Sequence, residues 1–210
     1  MHLTKYLAAG AVLVALAAVS GCGSDSGSAT AGSSGDGQEA ADNGLPRVGT
    51  MRGAQEFIAG AGLPCTDWGT DRGDNRLPIE GFVDSEWPDD SEEQKTFQKS
   101  WGVKEKGVCG NRYRESWLVY LPKDMKTFQQ VYRDDVLEAS KTTDNTTLRS
   151  GRFLIGADFV VDPTSRLRES GLLGTGLLVL NCDPDLKPAS GYVMQDALVD
   201  GCVLTNYLPG

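Results

Sequence analysis

The chain has 210 residues with 20 basic and 29 acidic side chains, which gives a formal net charge of −9 at pH 7. An acidic protein of this kind repels nucleic acid and anionic lipid at long range, and no segment has the clustered basic and aromatic residues of a nucleic-acid surface. We therefore expect no nucleic-acid partner.

Residues 1–21 have the layout of a secretory signal. Lys5 and the amino terminus provide positive charge, and residues 7–19 form an apolar run of 13 residues interrupted only by Gly10. A helix of this length reaches about 20 Å, which is short of the roughly 30 Å hydrocarbon core of a bilayer. We therefore expect a cleaved signal and no permanent transmembrane anchor.

The apolar run closes on Val19-Ser20-Gly21-Cys22, which resembles the lipobox of bacterial lipoproteins. The resemblance implies that a diacylglycerol is attached to Cys22 by a thioether and that the chain is cleaved before this residue. Two or more long acyl chains, such as palmitate, hold a protein stably on a membrane. The expected location is the outer side of the cell membrane. The alternative is an ordinary secretory cleavage that leaves Cys22 as a free thiol.

Residues 22–44 are expected to form a lipidated, flexible tether. From Gly23 onwards this stretch has no aromatic residue and no Leu, Ile, Val or Met, so it cannot bury enough apolar surface to offset its chain entropy. As a coil of 22 residues it spans about 25 Å. Residues 45–210 then remain, enough for one extracytoplasmic domain with its own core.

Three amphipathic segments of this domain predict helices. Thr50 caps the first, which has apolar residues at a spacing of three and four and ends at Gly62. Asp90 or Ser91 caps the second, which runs to Trp101. Asp124 caps the third, which runs to about residue 139. In this third helix we expect an apolar stripe on the buried side and four polar residues outside: Lys126, Gln129, Arg133 and Asp134.

Between the helices, apolar runs bounded by turn residues predict strands. The dense run at 117–121 indicates a strand covered on both faces, paired in a hairpin with residues 108–112. Further strands are predicted at 153–155, 159–161, 176–182, 197–199 and 203–204, with a weaker one at 79–83 and a helical turn at 165–170. Hairpins interspersed with helices favour an α+β domain, an antiparallel sheet with two or three packed helices.

Five cysteines are present, and assigning Cys22 to lipid leaves four in an oxidising location, where disulfides persist. Three pairings are possible. We favour Cys65–Cys109 with Cys182–Cys202, because short loops close at lower entropic cost. No cysteine pair has the spacing of a zinc site, so no metal is expected.

Three phrases add a resemblance: GVCGNRYRESWLVYLP at 107–122, GRFLIGADFVVDP at 151–163 and VDGCVLTNYLP at 199–209. Together with the lipobox and tether, they look like small secreted lipoproteins of actinobacteria, over most of residues 46–208. The resemblance supports the extracytoplasmic location and the local disulfide pairing, and it implies no reaction.

The residue types argue against catalysis. The only histidine is His2, inside the signal, so the mature chain lacks the base of Ser-His-Asp and Cys-His sites, and no phosphate-binding glycine loop is present. We therefore expect a binding module that has no catalytic residue and no cofactor, with an unknown envelope or protein partner. The candidate ligand-binding residues are Trp68 and Trp87, two aromatic residues in predicted loops.

Acidic residues leave an alternative open. Six carboxylates lie within residues 84–93 beside Trp87, and paired carboxylates about 5–9 Å apart are the machinery of glycoside hydrolysis. A carboxylate-based envelope hydrolase is thus the second hypothesis, and it requires two of these groups to face each other across a cleft. The competing interpretation is a solvated loop leading into a helix N-terminus. Calcium binding is a further option here or at Asp67, Asp71 and Asp74.

Overall fold

The computed structural model describes residues 44–65, 67–111, 115–142, 151–164 and 171–209. The expected signal, Cys22, the tether up to residue 43 and the helical turn predicted at 165–170 lie outside these residues. Within the described ranges, no helix combines the length and the hydropathy that crossing a bilayer requires.

The described residues form an α+β domain, as the sequence predicts. Its helices are α1 (Met51–Gly60), α2 (Glu92–Ser100) and α3 (Met125–Thr142). Its strands are β1 (Val103–Asn111), β2 (Glu115–Pro122), β3 (Leu154–Ile155), β4 (Val160–Pro163), β5 (Leu178–Asn181), β6 (Met194–Asp196) and β7 (Val203–Thr205). All pair antiparallel in one sheet of order β1-β2-β4-β3-β5-β7-β6.

Helices cover both faces of the sheet, and β2 contributes to each. Side chains alternate along a strand, so Trp117 and Val119 pack with α1 on what we call the α1 face. Leu118 and Tyr120 pack with α3 on the opposite α3 face. These side chains are at most 1% exposed, which confirms the predicted strand with two buried faces.

The predicted helix caps are confirmed. Thr50 Oγ1 accepts the Gly53 N–H at 3.0 Å, and Ser91 Oγ accepts that of Gln94 at 3.2 Å. Asp124 Oδ1 accepts the Thr127 N–H at 2.6 Å. Each cap satisfies a backbone donor that the first helical turn leaves unpaired.

The two disulfides join the pairs that loop entropy favours. Cys65–Cys109 links the segment after α1 to β1, with the Cα atoms 4.9 Å apart, and lies in the core of the α1 face. Cys182–Cys202 links the end of β5 to the residue before β7, with the Cα atoms 4.1 Å apart, in the core of the α3 face. Each face of the sheet is therefore cross-linked once.

Two predictions are wrong for physical reasons. Residues 79–83 form a turn, in which the Gly81 N–H bonds to the Pro78 carbonyl, and Ile79 is 90% exposed. Gln129, placed outside α3 by its polarity, is 1% exposed, because its Oε1 accepts the Leu198 N–H at 2.8 Å. A buried amide that meets a backbone donor satisfies its hydrogen-bonding capacity.

Two strand boundaries also differ from the prediction. β1 begins at Val103, where three consecutive charged or polar residues concealed the strand, and it runs beside β2 in the predicted hairpin. β6 lies at Met194–Asp196, just before the predicted 197–199, because residues 197–202 form the turn into β7.

Candidate functional site: an aromatic cleft on the α3 face

A cleft of about 250 Å³ opens beside α2 and α3. Four aromatic residues line it, and they differ in exposure. Phe82 and Trp101 belong to the buried core, whereas Trp87 and Phe97 are 42% and 43% exposed. Phe97 lies in α2, and Trp101 follows one turn later as the C-cap of this helix. Their rings meet edge to face with the centroids 6.1 Å apart. The cleft thus has an apolar floor and an exposed aromatic rim.

The loop before α2 is shaped by a glycine and a serine. Gly81 has φ +68°, and a Cβ at this position would lie 2.8 Å from Ser85 Oγ, so both conformation and space require glycine. Ser85 Oγ accepts the Phe82 N–H at 2.9 Å, and the Tyr120 hydroxyl accepts the Val83 N–H at 3.3 Å. These bonds fix Phe82 in the cleft floor.

Asp90 positions two residues of the cleft. One of its carboxylate oxygens accepts the Trp87 N–H at 2.6 Å and the Gln98 Nε2 at 2.8 Å. The bond from Gln98, with that from Trp87, holds the pKa of Asp90 below its ordinary value, so the group is ionised and accepts only. The Gln98 amide must therefore turn its nitrogen to Asp90. Its Oε1 is buried with no hydrogen-bond partner among the described residues.

A buried ion pair lies at the cleft. Arg152 donates from Nε and Nη2 to Asp162 Oδ2 at 2.9 and 2.6 Å, and the carboxylate side chain is 5% exposed. The negative charge of Asp162 raises the pKa of Arg152, so the guanidinium stays charged. Arg152 lines the cleft and also lies over the Phe153 ring at 5.2 Å.

Asp135, on the cleft side of α3, is half-buried. Burial raises the pKa of its carboxyl, and the charge of Arg152 opposes that shift in part. No hydrogen bond or ion pair joins this side chain to another described residue, which is unusual for a half-buried carboxylate. Glu80, on the loop, adds a second carboxylate to the lining.

The structure separates the two tryptophans predicted to bind a ligand. Trp87 lines the cleft, and the Arg72 guanidinium lies 4.1 Å from its ring centroid. Trp68 packs with the core of the α1 face and covers Gly107 of β1, where a Cβ would overlap the indole. Trp68 therefore packs in the fold, and of the two tryptophans Trp87 is the one that lines this cleft.

Four of the six carboxylates at 84–93 have partners within the described part of the protein. Three pair with lysines: Asp84 with Lys106 at 2.6 Å, Glu86 with Lys99 at 3.3 Å, and Glu92 with Lys95 at 2.9 Å. Asp90 holds Trp87 and Gln98 as described. The described lining of the cleft contains none of the six.

The second acidic group is likewise held in local structure. Asp74 pairs with Arg76 at 2.6 Å, and Asp71 Oδ1 accepts the Gly73 N–H at 2.8 Å in a turn. In the described part of the chain, no three His, Cys, Asp or Glu side chains come together as a metal site would need.

Sequence reasoning missed Asp135 and Arg152, although signals for both exist. Asp135 follows Tyr132 by three residues and so lies at the border of the apolar stripe of α3. Asp162 lies two residues after Val160, on the same buried face, and a buried carboxylate there requires a cation such as Arg152.

Comparisons of the chain with protein-family models, with curated proteins and with solved structures gave no match.

Proposed function

We propose that this protein is a lipid-anchored binding module of the bacterial envelope, held at the outer side of the cell membrane through Cys22, with its ligand in the cleft beside Trp87. The main support is the exposed aromatic rim. Trp87 and Phe97 are each more than 40% exposed beside a concave site that combines aromatic and charged side chains. Ligand sites are usually of this form, and exposed apolar surface at a cleft is a recurrent mark of binding.

Two other observations agree with the location. The structure contains two disulfides, and such bonds persist mainly in oxidising compartments. The lipobox-like Val19–Cys22 segment and the polar tether would place the domain outside the membrane at a distance of about 25 Å. The proposal of binding without catalysis also draws on the residue types, since His2 is the only histidine of the sequence and lies within the expected signal.

Filling the cleft tests the binding role. Gln94 on α2 lines the cleft and is exposed, so Gln94→Trp should occupy it without disturbing the core. Thr96→Trp is the matched control, because two residues along a helix rotate the side chain by about 200°. The full chain in detergent is screened by thermal shift against envelope sugars, peptidoglycan fragments, lipids, amines and divalent cations.

We expect one ligand class to raise the unfolding temperature of the native chain and of Thr96→Trp but not of Gln94→Trp. A ligand at 100 times its dissociation constant adds about 2.7 kcal/mol of stability, which such a measurement resolves. No shift with any class would contradict the proposal, and so would a shift that Gln94→Trp retains.

A carboxylate-based envelope hydrolase is a second candidate, and one observation favours it. Glu80 and Asp135 both line the cleft, and burial raises the pKa of Asp135 as a general acid requires. This pair is distinct from the 84–93 carboxylates that the sequence suggested for the same chemistry. Envelope glycans incubated with the full chain should then be cleaved, and Asp135→Asn should abolish cleavage. Intact glycans with the native chain would remove this candidate.

A further inference from the structure

We infer that the cleft binds a primary ammonium group on a short alkyl chain, with the Asp135 carboxylate as its principal partner. This inference rests on the binding role proposed above and names the chemistry of the ligand.

The charge of the cleft is the first argument. Glu80 and Asp135 are acidic, and Arg152 is the cation among the described lining residues. Arg152 is already neutralised by Asp162, to which it donates two hydrogen bonds. The lining therefore has two carboxylates and a single guanidinium that is already paired, so the cleft has a net negative charge. A cationic ligand supplies the missing charge, and an anionic one would meet repulsion.

Hydrogen-bonding capacity is the second argument. Asp135 has no hydrogen-bond partner among the described residues, and it can only accept when ionised. The ligand group that meets this carboxylate must therefore be a donor. A primary ammonium has three N–H donors and a positive charge, whereas a trimethylammonium has no N–H donor and a hydroxyl has no charge.

The aromatic walls are the third argument. Aromatic faces attract cations, and two rings of the lining already lie beside a cation of the protein itself. Arg72 lies 4.1 Å from the Trp87 ring centroid, and Lys106 Nζ lies 5.3 Å from that of Phe82. The Phe97 ring is 43% exposed on the rim, where it can cover the alkyl stem of a bound amine.

Size limits the ligand further. The cleft measures about 250 Å³, below the roughly 300–1,000 Å³ typical of sites that enclose a drug-sized molecule. It suits a head group and its stem better than a whole oligosaccharide. Two sources have this chemistry, a free alkyl amine and a lysine side chain of a partner protein.

Isothermal titration of the full chain tests the inference with defined probes. These are butylammonium, butyltrimethylammonium, butanol and Nα-acetyl-lysine amide. We expect binding of butylammonium, at least tenfold weaker binding of the trimethyl compound, and no binding of butanol. Asp135→Asn should weaken butylammonium at least tenfold, as the loss of a charged hydrogen bond does. Asp134→Asn, a neighbour with 58% of its side chain exposed, is the matched control and should bind normally.

The outcomes separate the two claims. If sugars or lipids bind in a way that Gln94→Trp abolishes while butylammonium does not bind, the ammonium inference is overturned and the binding module stands. Equal affinity of Asp135→Asn and the native chain would also overturn it. If no probe of any class binds, the binding role fails as well. If Nα-acetyl-lysine amide binds as tightly as butylammonium, the ligand is a lysine side chain of a partner protein. If butylammonium binds more tightly, the ligand is a small alkyl amine.

Discussion

At the scale of single residues, Asp135 opposes the stability of the domain. Its carboxyl is half-buried without a hydrogen bond to another described residue, and burial raises its pKa above the ordinary 3.8. A carboxyl whose folded-state pKa is raised loses its proton first in the unfolded state. The free energy of unfolding therefore falls as pH rises from the ordinary pKa through the raised one, and the full cost remains at neutral pH.

We accordingly predict that Asp135→Asn raises the unfolding temperature at pH 7. The gain should disappear below the ordinary aspartate pKa of about 3.9, where both states are protonated. Thermal unfolding followed by circular dichroism at neutral and acidic pH measures this difference. An Asp135→Asn chain that is less stable than the native one at pH 7 would show that the carboxylate has a stabilising partner.

In contrast to the change at Asp135, a substitution that breaks the Arg152–Asp162 pair should destabilise the domain. Arg152→Leu leaves the buried Asp162 carboxylate without its cation, which should lower the free energy of unfolding by about 3 kcal/mol. We take the low end of the range for broken buried pairs, because the Arg152 side chain is 35% exposed. The double variant Arg152→Leu/Asp162→Leu should recover much of this loss, because no charge remains buried.

Urea unfolding of the two single variants and the double variant measures the coupling. If the double variant loses as much free energy of unfolding as the two single variants together, the two side chains do not interact. That result would contradict the 2.6 Å contact.

Side chains show where sequence reasoning reached its limit. Cap residues such as Thr50 are predictable, because their bonds lie within one helical turn. Gln129 and Trp68 are not, since each is placed by a residue distant in sequence: the backbone N–H of Leu198 for the first and the bare backbone of Gly107 for the second. The polarity of Gln129 was misleading, because its amide is buried against the backbone.

At the scale of elements, β1 depends on a glycine that accommodates Trp68. We predict that Gly107→Ala lowers the free energy of unfolding by about 1–3 kcal/mol, because the added Cβ overlaps the indole and forces it to move. Gly60→Ala is the matched control, since a Cβ there meets nothing within 4 Å and the residue lies in α1.

Chemical unfolding with tryptophan fluorescence measures both variants. We expect Gly60→Ala to match the native chain or exceed its stability by a few tenths of a kcal/mol. Equal stability of Gly107→Ala and Gly60→Ala would contradict the role of Trp68 as a packing residue and return it to the list of binding candidates.

Elements were predictable where one local pattern dominates. The long amphipathic stripe of α3 and the apolar run of β2 are strong signals of this kind. Residues 79–83 are apolar too, yet Pro78 and Gly81 bend them into a turn, and β6 has no apolar alternation because its residues are mainly exposed. Short segments on the border of the sheet are defined by their neighbours and only weakly by their own sequence.

At the scale of the whole molecule, the order of the strands was beyond prediction. The hairpins β1–β2 and β3–β4 join neighbours in sequence, but β2–β4 and β3–β5 cross long segments. The cleft arises from the same non-local packing. Asp135 of α3, Gln98 of α2 and Arg152 before β3 meet only after the sheet has brought their elements together.

The proposed anchor predicts a change of location. Cys22→Ala should release the protein from the membrane into the medium, because the attached acyl chains supply about 0.8 kcal/mol of membrane affinity for each buried CH₂. Immunoblots of washed membranes and of the medium measure the distribution, with Ser24→Ala as the matched control. Retention of Cys22→Ala in salt-washed membranes would contradict lipidation at this residue.

The most direct test of the account is photo-crosslinking on intact cells of the source organism. In one variant a benzophenone amino acid replaces Phe97 on the rim of the cleft. In the control variant it replaces Tyr192, which is 45% exposed and lies near the edge strand β6. The account predicts a covalent adduct with an envelope component or amine from position 97, and none from position 192. Adducts from position 192 alone, or from neither position, would contradict a ligand in the cleft.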